Sequence, residues 1–256
     1  MPALDLFLAE QSFGFMAVFA RVGAMVMLFP AIGDQNVPAR FRLTFALALS
    51  GVLAPAILPM MPKLPDQPLA LAALMGGEIL TGLTIGLTTR LVMSALQVAG
   101  STIAMQTGLG FVQAVDPTFG AQGALLGTFL SLTAVTFIFA TGLHALLFGA
   151  ILASYDHFAP GQLPPIDDAA KFAVDTTAAS FALGVQISAP FLVFGLVFNA
   201  AAGIVNKLMP QIQVFFILMP LSILLGLGLF MVTLSASIIW FTEHFADHLK
   251  MFIGAG

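Results

Sequence analysis

The sequence contains no cysteine. Disulfides and thiolate metal sites are therefore excluded, while the redox compartment stays open. Charge is almost as scarce: Asp, Glu, Lys and Arg make up 8% of the chain, against roughly 25% in an ordinary soluble domain. That leaves too little polar surface to cover the core of a 256-residue protein in water. One Trp and one Tyr accompany 25 Phe, so the interfacial Trp and Tyr belt of ordinary spanning helices is nearly missing. Phe packs without a polar handle. Its abundance fits either a plain compositional bias or a surface that meets protein rather than lipid headgroups. The net charge of −4 is spread thinly, which points to neither a nucleic-acid partner nor a polybasic lipid anchor.

What the chain does have is apolar length, with a mean hydropathy of +1.04. Leu43–Pro62, Leu91–Val115, Pro117–Tyr155, Thr176–Asn206 and Leu208–Thr242 carry no Asp, Glu, Lys or Arg. A helix needs about 20 apolar residues to cross about 30 Å of hydrocarbon, and each stretch is long enough. The N-terminus begins with Asp5 and Glu10, and Arg21 interrupts its apolar run. That pattern is unlike a cleaved signal, so the first segment is expected to stay in the mature protein.

Six apolar elements are read at roughly 13–33, 41–61, 69–98, 119–153, 178–204 and 212–242. Helix-ending residues separate them: Pro30 to Pro38, Pro59 to Pro68, Asp116-Pro117, the acidic stretch Asp156–Asp175, and Asn206 to Pro210. Linkers this short leave no second soluble domain, and residues 1–256 read as one domain. The fold expected is all-α and membrane-type, with about six long apolar helices. The uncharged runs 117–155 and 208–242 would exceed about 50 Å as continuous helices. Gly127, Gly142, Pro220, Gly226 and Gly228 offer places to kink or fold back. Arg40, Arg42 and Lys207 on one side balance Lys63, Lys171 and Lys250 on the other, so the positive-inside rule gives no orientation. Gly82/Gly86 and Gly123/Gly127 are small-xxx-small pairs that let helix backbones approach, a generic packing device.

Ionisable groups inside apolar segments are costly and face a partner or water. Here they are Arg21, Glu78 and Arg90. Glu78 and Arg90 stand twelve residues apart, about 120° around one helix, and so do not face each other on it; a pair across helices, Arg21 with Glu78 for instance, is geometrically free to form. Such charges serve either structural pairing or a conduit lining. His144 reads as a packed histidine. His244 and His248, spaced i, i+4, could hold a metal. Their neighbours Glu243, Asp247 and Lys250 oppose a stripe of Phe241, Phe245, Leu249 and Phe252, which is the pattern of an amphipathic terminal helix. No G-x-S-x-G, H-E-x-x-H or Walker-type loop is present. Asp116 is also the only Asp between Asp66 and Asp156, which argues against a two-aspartate protease. No enzyme and no cofactor are expected.

The segment from Ile103 to Pro117 stands apart. Gln106-Thr107 forms a polar break, Gly108 and Gly110 flank Leu109, Phe111 follows, and Asp116-Pro117 turns the chain. Each glycine lowers helix propensity by about 1 kcal/mol. Non-helical backbone at membrane depth is tolerated only inside protein or along a cavity. A flexible apolar loop carrying Met105 and Phe111 could plug a pore, since hydrophobic constrictions gate by excluding water. The same residues equally fit a plain turn between helices.

Here the chain resembles the FliR family of flagellar export-gate proteins, related to the SctT components of virulence type III secretion systems. The resemblance runs along essentially the whole chain. It rests on Arg21, Pro30 and Asn36-Val-Pro38-Ala-Arg40, then on Glu78 to Gly86, then on Ala99-Gly100 and Gln106-Thr-Gly108 through Asp116-Pro117. It closes on Asn206-Lys-Leu-Met-Pro210, Gln211 to Phe215, and Pro220.

The resemblance implies a gate subunit that joins FliP-like and FliQ-like subunits in a hetero-oligomeric helical assembly. An FlhB-like subunit wraps its cytoplasmic entrance. Unfolded flagellar proteins pass through it across the bacterial inner membrane, at the flagellar basal body. It also implies that the mid-chain loop lies at the central constriction, which carries onto Met105, Gln106, Gly108, Gly110, Phe111, Asp116 and Pro117. Some relatives have an aromatic where this chain has Ala114. The alternative from another class is a small secondary transporter with a midplane site near Glu78 and Arg90. The absence of an internal repeat counts against that reading.

Overall fold

The computed structural model describes residues 2–34, 37–110, 125–162, 164–209 and 214–254. Seven α-helices occur among them, and no strand. They are α1 (Pro2–Val26), α2 (Ala39–Ile57), α3 (Pro68–Thr107), α4 (Leu125–Ala140), α5 (His144–His157), α6 (Ile166–Leu208) and α7 (Val214–Ile253), with a 3₁₀ turn at Leu58–Met60 after α2. Four helices, α2 with its 3₁₀ turn, α3, α6 and α7, are long and apolar enough to cross a membrane. The α4–α5 pair makes a fifth if counted as one broken span.

The all-helical, membrane-type architecture agrees with the sequence reading, and the count of six is approximate. The fourth expected element divides into α4 and α5 where Gly142 takes a left-handed backbone, φ 78°. Gly127 leaves α4 unbroken.

Other elements run further than hydropathy suggests. α1 begins at Pro2, and α3 stays helical through Gln106 and Thr107, so those residues make no break. The acidic stretch is only partly a linker: α6 starts at Ile166 and carries Asp167 and Asp168 in its first turn and Lys207 in its last. Those signs complement the helix macrodipole, so these charges favour the helix ends instead of interrupting them. α7 passes through Pro220, Gly226 and Gly228 without folding back. At 40 residues each, α3 and α7 are about 60 Å long, twice the hydrocarbon thickness of about 30 Å.

The chain forms two compact units. The first comprises Met1–Val92, Thr141–Thr177 and Phe245–Gly256, and the second Met93–Ala140 and Ala178–His244. In the first, α1 contributes a buried stripe of Ala17, Val18, Val22, Met25 and Val26. Gly82 and Gly86 of α3 lie directly under this helix. A Cβ at Gly82 would strike the Arg21 carbonyl and sit 2.9 Å from Ala24 Cβ. One at Gly86 would sit 2.9 Å from Leu28 Cβ. This small-xxx-small pair therefore packs α3 against α1 within the chain. Gly123, from the other such pair, lies outside the described residues.

In the second unit the buried residues of α4, namely Leu126, Leu130, Ala134 and Ile138, fall at helical spacing. Gly127 meets Gly100 of α3 backbone to backbone. Phe230 of α7 lies between Phe191 of α6 and Phe129 of α4, with ring centroids 6.3 and 5.9 Å away. The outer faces are apolar as well, Val193, Leu196 and Val197 on α6 and Leu224, Met231 and Val232 on α7 among them.

Candidate functional site

Two arrangements draw together several of the residues singled out in the sequence. The first, in the first unit, is centred on Arg21 of α1. Its Nε donates to Glu78 Oε2 at 2.7 Å and its Nη2 to Glu78 Oε1 at 3.1 Å, with both side chains 0% exposed. Arg21 Nη1 donates to the carbonyls of Ser154 and Phe158 at 2.9 and 3.0 Å. The guanidinium carbon stands 4.0 Å above the Tyr155 ring. Glu78 Oε1 also accepts from the Gly161 N–H at 3.0 Å. One ion pair thus ties α1, α3, the end of α5 and the following loop together, with the hydrogen-bond capacity that a buried charge requires.

Arg90 does not belong to this group. It was expected among the buried charges, but it is exposed. The twelve-residue offset from Glu78 turns it to a different face of α3. Glu78 and Arg90 therefore do not converge on one site, as the transporter reading would need.

The second arrangement lies at the C-terminal end of α3 in the second unit. Gly108 ends the helix with φ 85°, the left-handed geometry of a helix C-cap. The chain then doubles back, so that a Cβ at Gly110 would stand 3.3 Å from Met105 Cα. The last three helical residues point three ways. Met105 is 75% exposed. Gln106 lies over Gly195 of α6, and Thr107, buried, presses its methyl group on Gly226 of α7. The Thr107 hydroxyl donates back to the Ile103 carbonyl at 2.9 Å, which fixes that orientation.

Beside them opens a cleft of about 370 Å³ lined by Met105, Gln106, Phe198, Asn199, Asn206 and Met219, among others. Its apolar walls carry three carboxamides and two thioethers, side chains that donate and accept hydrogen bonds or adapt their packing. Phe111, Ala114, Asp116 and Pro117 lie outside the described residues.

The remaining motif residues are dispersed. Pro30 is buried in the turn after α1, next to Ala31 at φ 69°. Pro38, exposed, sits at the N-cap of α2 with its carbonyl accepting from the Phe41 and Arg42 N–H groups, and Arg40 is exposed beside it. Pro220 is exposed within α7. Asn36 and Pro210 lie outside the described residues. His248 is buried, stacked on Phe172 at 5.9 Å and edge-on to Phe252 at 5.5 Å. His244 Nδ1 lies 2.9 Å from the Trp240 carbonyl. Among the described residues no group of three or more metal-ligating side chains gathers. Reading the sequence missed Ser154, Tyr155, Gly161 and Gly195, and took Gly226 only for a place to kink. All act through contacts across more than 75 positions, and no local pattern marks those.

Comparison with known proteins fits this picture. The family model for bacterial export proteins, family 1, matches residues 12–248. The flagellar biosynthetic protein FliR of Caulobacter vibrioides is 45% identical over 235 residues, covering 92% of this chain and 94% of the relative. FliR of Bacillus subtilis is 33% identical, with 91% and 88% covered. The Yop proteins translocation protein T of Yersinia pestis is 24% identical over 68% of this chain and 70% of its own. With one family model spanning both compact units and both arrangements described above, the chain belongs to the bacterial export proteins, family 1, together with the FliR proteins.

Proposed function

We propose that this chain is a structural, non-catalytic gate subunit of the flagellar type III protein export apparatus, and that residues 105–117 plug its channel. Family membership and the FliR relatives support an export-apparatus component. The observation that carries the plug reading is the end of α3. A 40-residue helix stops at a left-handed glycine, with an exposed methionine near its tip and a Gly-rich segment following. An apolar segment that follows a helix stop can close a pore by excluding water.

In this reading the whole of 1–256 acts as one gate domain in the bacterial inner membrane, at the flagellar basal body. Its exposed apolar faces meet FliP-like, FliQ-like and FlhB-like subunits, and unfolded export substrates touch it only in passing. The buried Arg21–Glu78 pair holds helices together and takes no part in transport.

Two measurements test the proposal. Deleting or loosening 105–117 raises leakage of ions and small solutes through the assembled gate. Gly110→Trp, pressing on Met105, alters secretion or leakage; if it changes neither, the plug role is lost. Co-purification tests assembly: a gate subunit emerges in a larger complex with the three partner types, whereas a transporter emerges alone or as a dimer.

A further inference from the structure

Beside the cleft at the end of α3, two glycines receive the side chains of Gln106 and Thr107. Gly195 lies on α6 five residues after Pro190, and Gly226 lies on α7 six residues after Pro220. Each proline removes one backbone donor from its helix, and each glycine then removes the side chain from the face turned toward α3. The Gln106 side chain fills the first notch: a Cβ at Gly195 would meet Gln106 Oε1, lie 2.9 Å from Cδ and stand 3.2 Å from Cβ. Thr107 fills the second: a Cβ at Gly226 would meet its methyl, lie 2.6 Å from its Cβ and stand 3.4 Å from its Cα.

Consecutive residues of one helix are thus seated in notches on two others. Two such contacts fix both the rotation and the height of a helix end, where one would leave it free to turn. Gly228, one position beyond Gly226's neighbour, has nothing within 4 Å of its Cβ position. The close approach therefore belongs to the notch and is not a general property of this part of α7.

We infer that Gly195 and Gly226 are positioning residues: by seating Gln106 and Thr107 they fix the end of α3, from which the proposed plug departs. The gating half of this inference rests on the proposed plug, and the seating half does not.

The experiment separates the halves. The chain has no cysteine, so Met105→Cys gives a single site for a spin label at the exposed helix tip. The label is read in the assembled export complex, and ion leakage is read separately, with Met105 in place, in cells making the full apparatus. Gly195→Ala and Gly226→Ala are expected to change the label's mobility and raise leakage several-fold. Gly228→Ala is expected to change neither.

Adding Gln106→Ala to Gly195→Ala removes the colliding Oε1 and Cδ and leaves the new methyl 3.2 Å from the Cβ of residue 106, so the label's mobility returns toward that of the parent. Thr107→Ser added to Gly226→Ala leaves Cβ and Cα in the way and restores the mobility only partly. An unmoved label in Gly195→Ala overturns the inference, as does a disturbance that Gln106→Ala does not relieve or one that Gly228→Ala reproduces. A label that moves and recovers while leakage stays flat keeps the seating and removes the plug. Should Gly226→Ala fail to assemble, the Gly195 and Gln106 variants decide alone.

Discussion

Arg21 and Glu78 stand 57 positions apart in the chain, yet they meet through two hydrogen bonds of 2.7 and 3.1 Å with no exposure to solvent. Removing either partner strands the other. Arg21→Ala or Glu78→Ala is expected to destabilise the chain by about 3–5 kcal/mol, the usual cost of leaving one buried charge uncompensated. Arg21→Met with Glu78→Met together is expected to lose much less. Thermal unfolding of the purified protein in detergent measures this. A double variant no better than the singles would contradict the ion-pair account.

Tyr155 separates two contributions of one side chain. Its ring lies under the Arg21 guanidinium, while its buried hydroxyl has no hydrogen-bond partner among the described residues. Tyr155→Phe keeps the ring and removes an unsatisfied polar atom, so stability should hold or rise by about 1 kcal/mol. Tyr155→Leu, which loses the cation–π contact, should fall below it by about 1–2 kcal/mol. Comparing the melting temperatures of the two variants decides the matter.

Gly82 should show a reversed sign for a familiar substitution. Inside an exposed helix, Gly→Ala gains about 1 kcal/mol. Here the added methyl strikes the Arg21 carbonyl and the Ala24 side chain, and overpacking of this kind costs about 1–3 kcal/mol. Gly82→Ala should therefore lower stability, whereas Gly76→Ala, with open space around it, should not. Equal behaviour of the two would rule out the close α1–α3 contact.

Arg90 and the outer face of α7 address the surface. Arg90→Ala should change the stability of the isolated chain by no more than about 0.5 kcal/mol, as exposed substitutions usually do. Val232→Lys, on an exposed apolar face, should cost about 2.5–3.5 kcal/mol of insertion where that face meets hydrocarbon. It should lower co-purification with partner subunits where the face meets protein. The membrane-inserted fraction and the composition of the purified complex report the two outcomes separately.

Much of the fold can be read along the chain because hydropathy and helix length are local quantities. Runs without charge mark the helices; Pro62, Pro65, Pro164 and Pro165 fall between them, and Pro68 opens α3. The errors share one cause. A window of apolar residues measures how much chain suits hydrocarbon, whereas a backbone helix continues wherever its hydrogen bonds do. α1, α3, α6 and α7 therefore overrun their apolar stretches, and Asp167 and Asp168 lie inside a helix start because the macrodipole favours them there. The candidate site was legible only in part. Gly108 and Gly110 announced a helix stop, but Gln106 and Thr107 looked like a break because their polarity was visible and their partners were not.

By itself, then, the sequence determined an all-helical, membrane-type chain, its main breaks, and the presence of Arg21, Glu78 and Arg90 as charges set within apolar runs. Composition and spacing suffice for that, since burying backbone and charge in apolar surroundings carries the same penalty wherever it occurs. Only the tertiary structure decided that Arg21 takes Glu78 while Arg90 remains outside. It alone decided that Gly82 lies under α1 and that Gly195 and Gly226 receive Gln106 and Thr107. Those outcomes depend on which helix faces come within a few ångströms of each other. Glycine at such a contact is chosen for the atoms it lacks, and an absent side chain is recognisable only beside the one that fills its place.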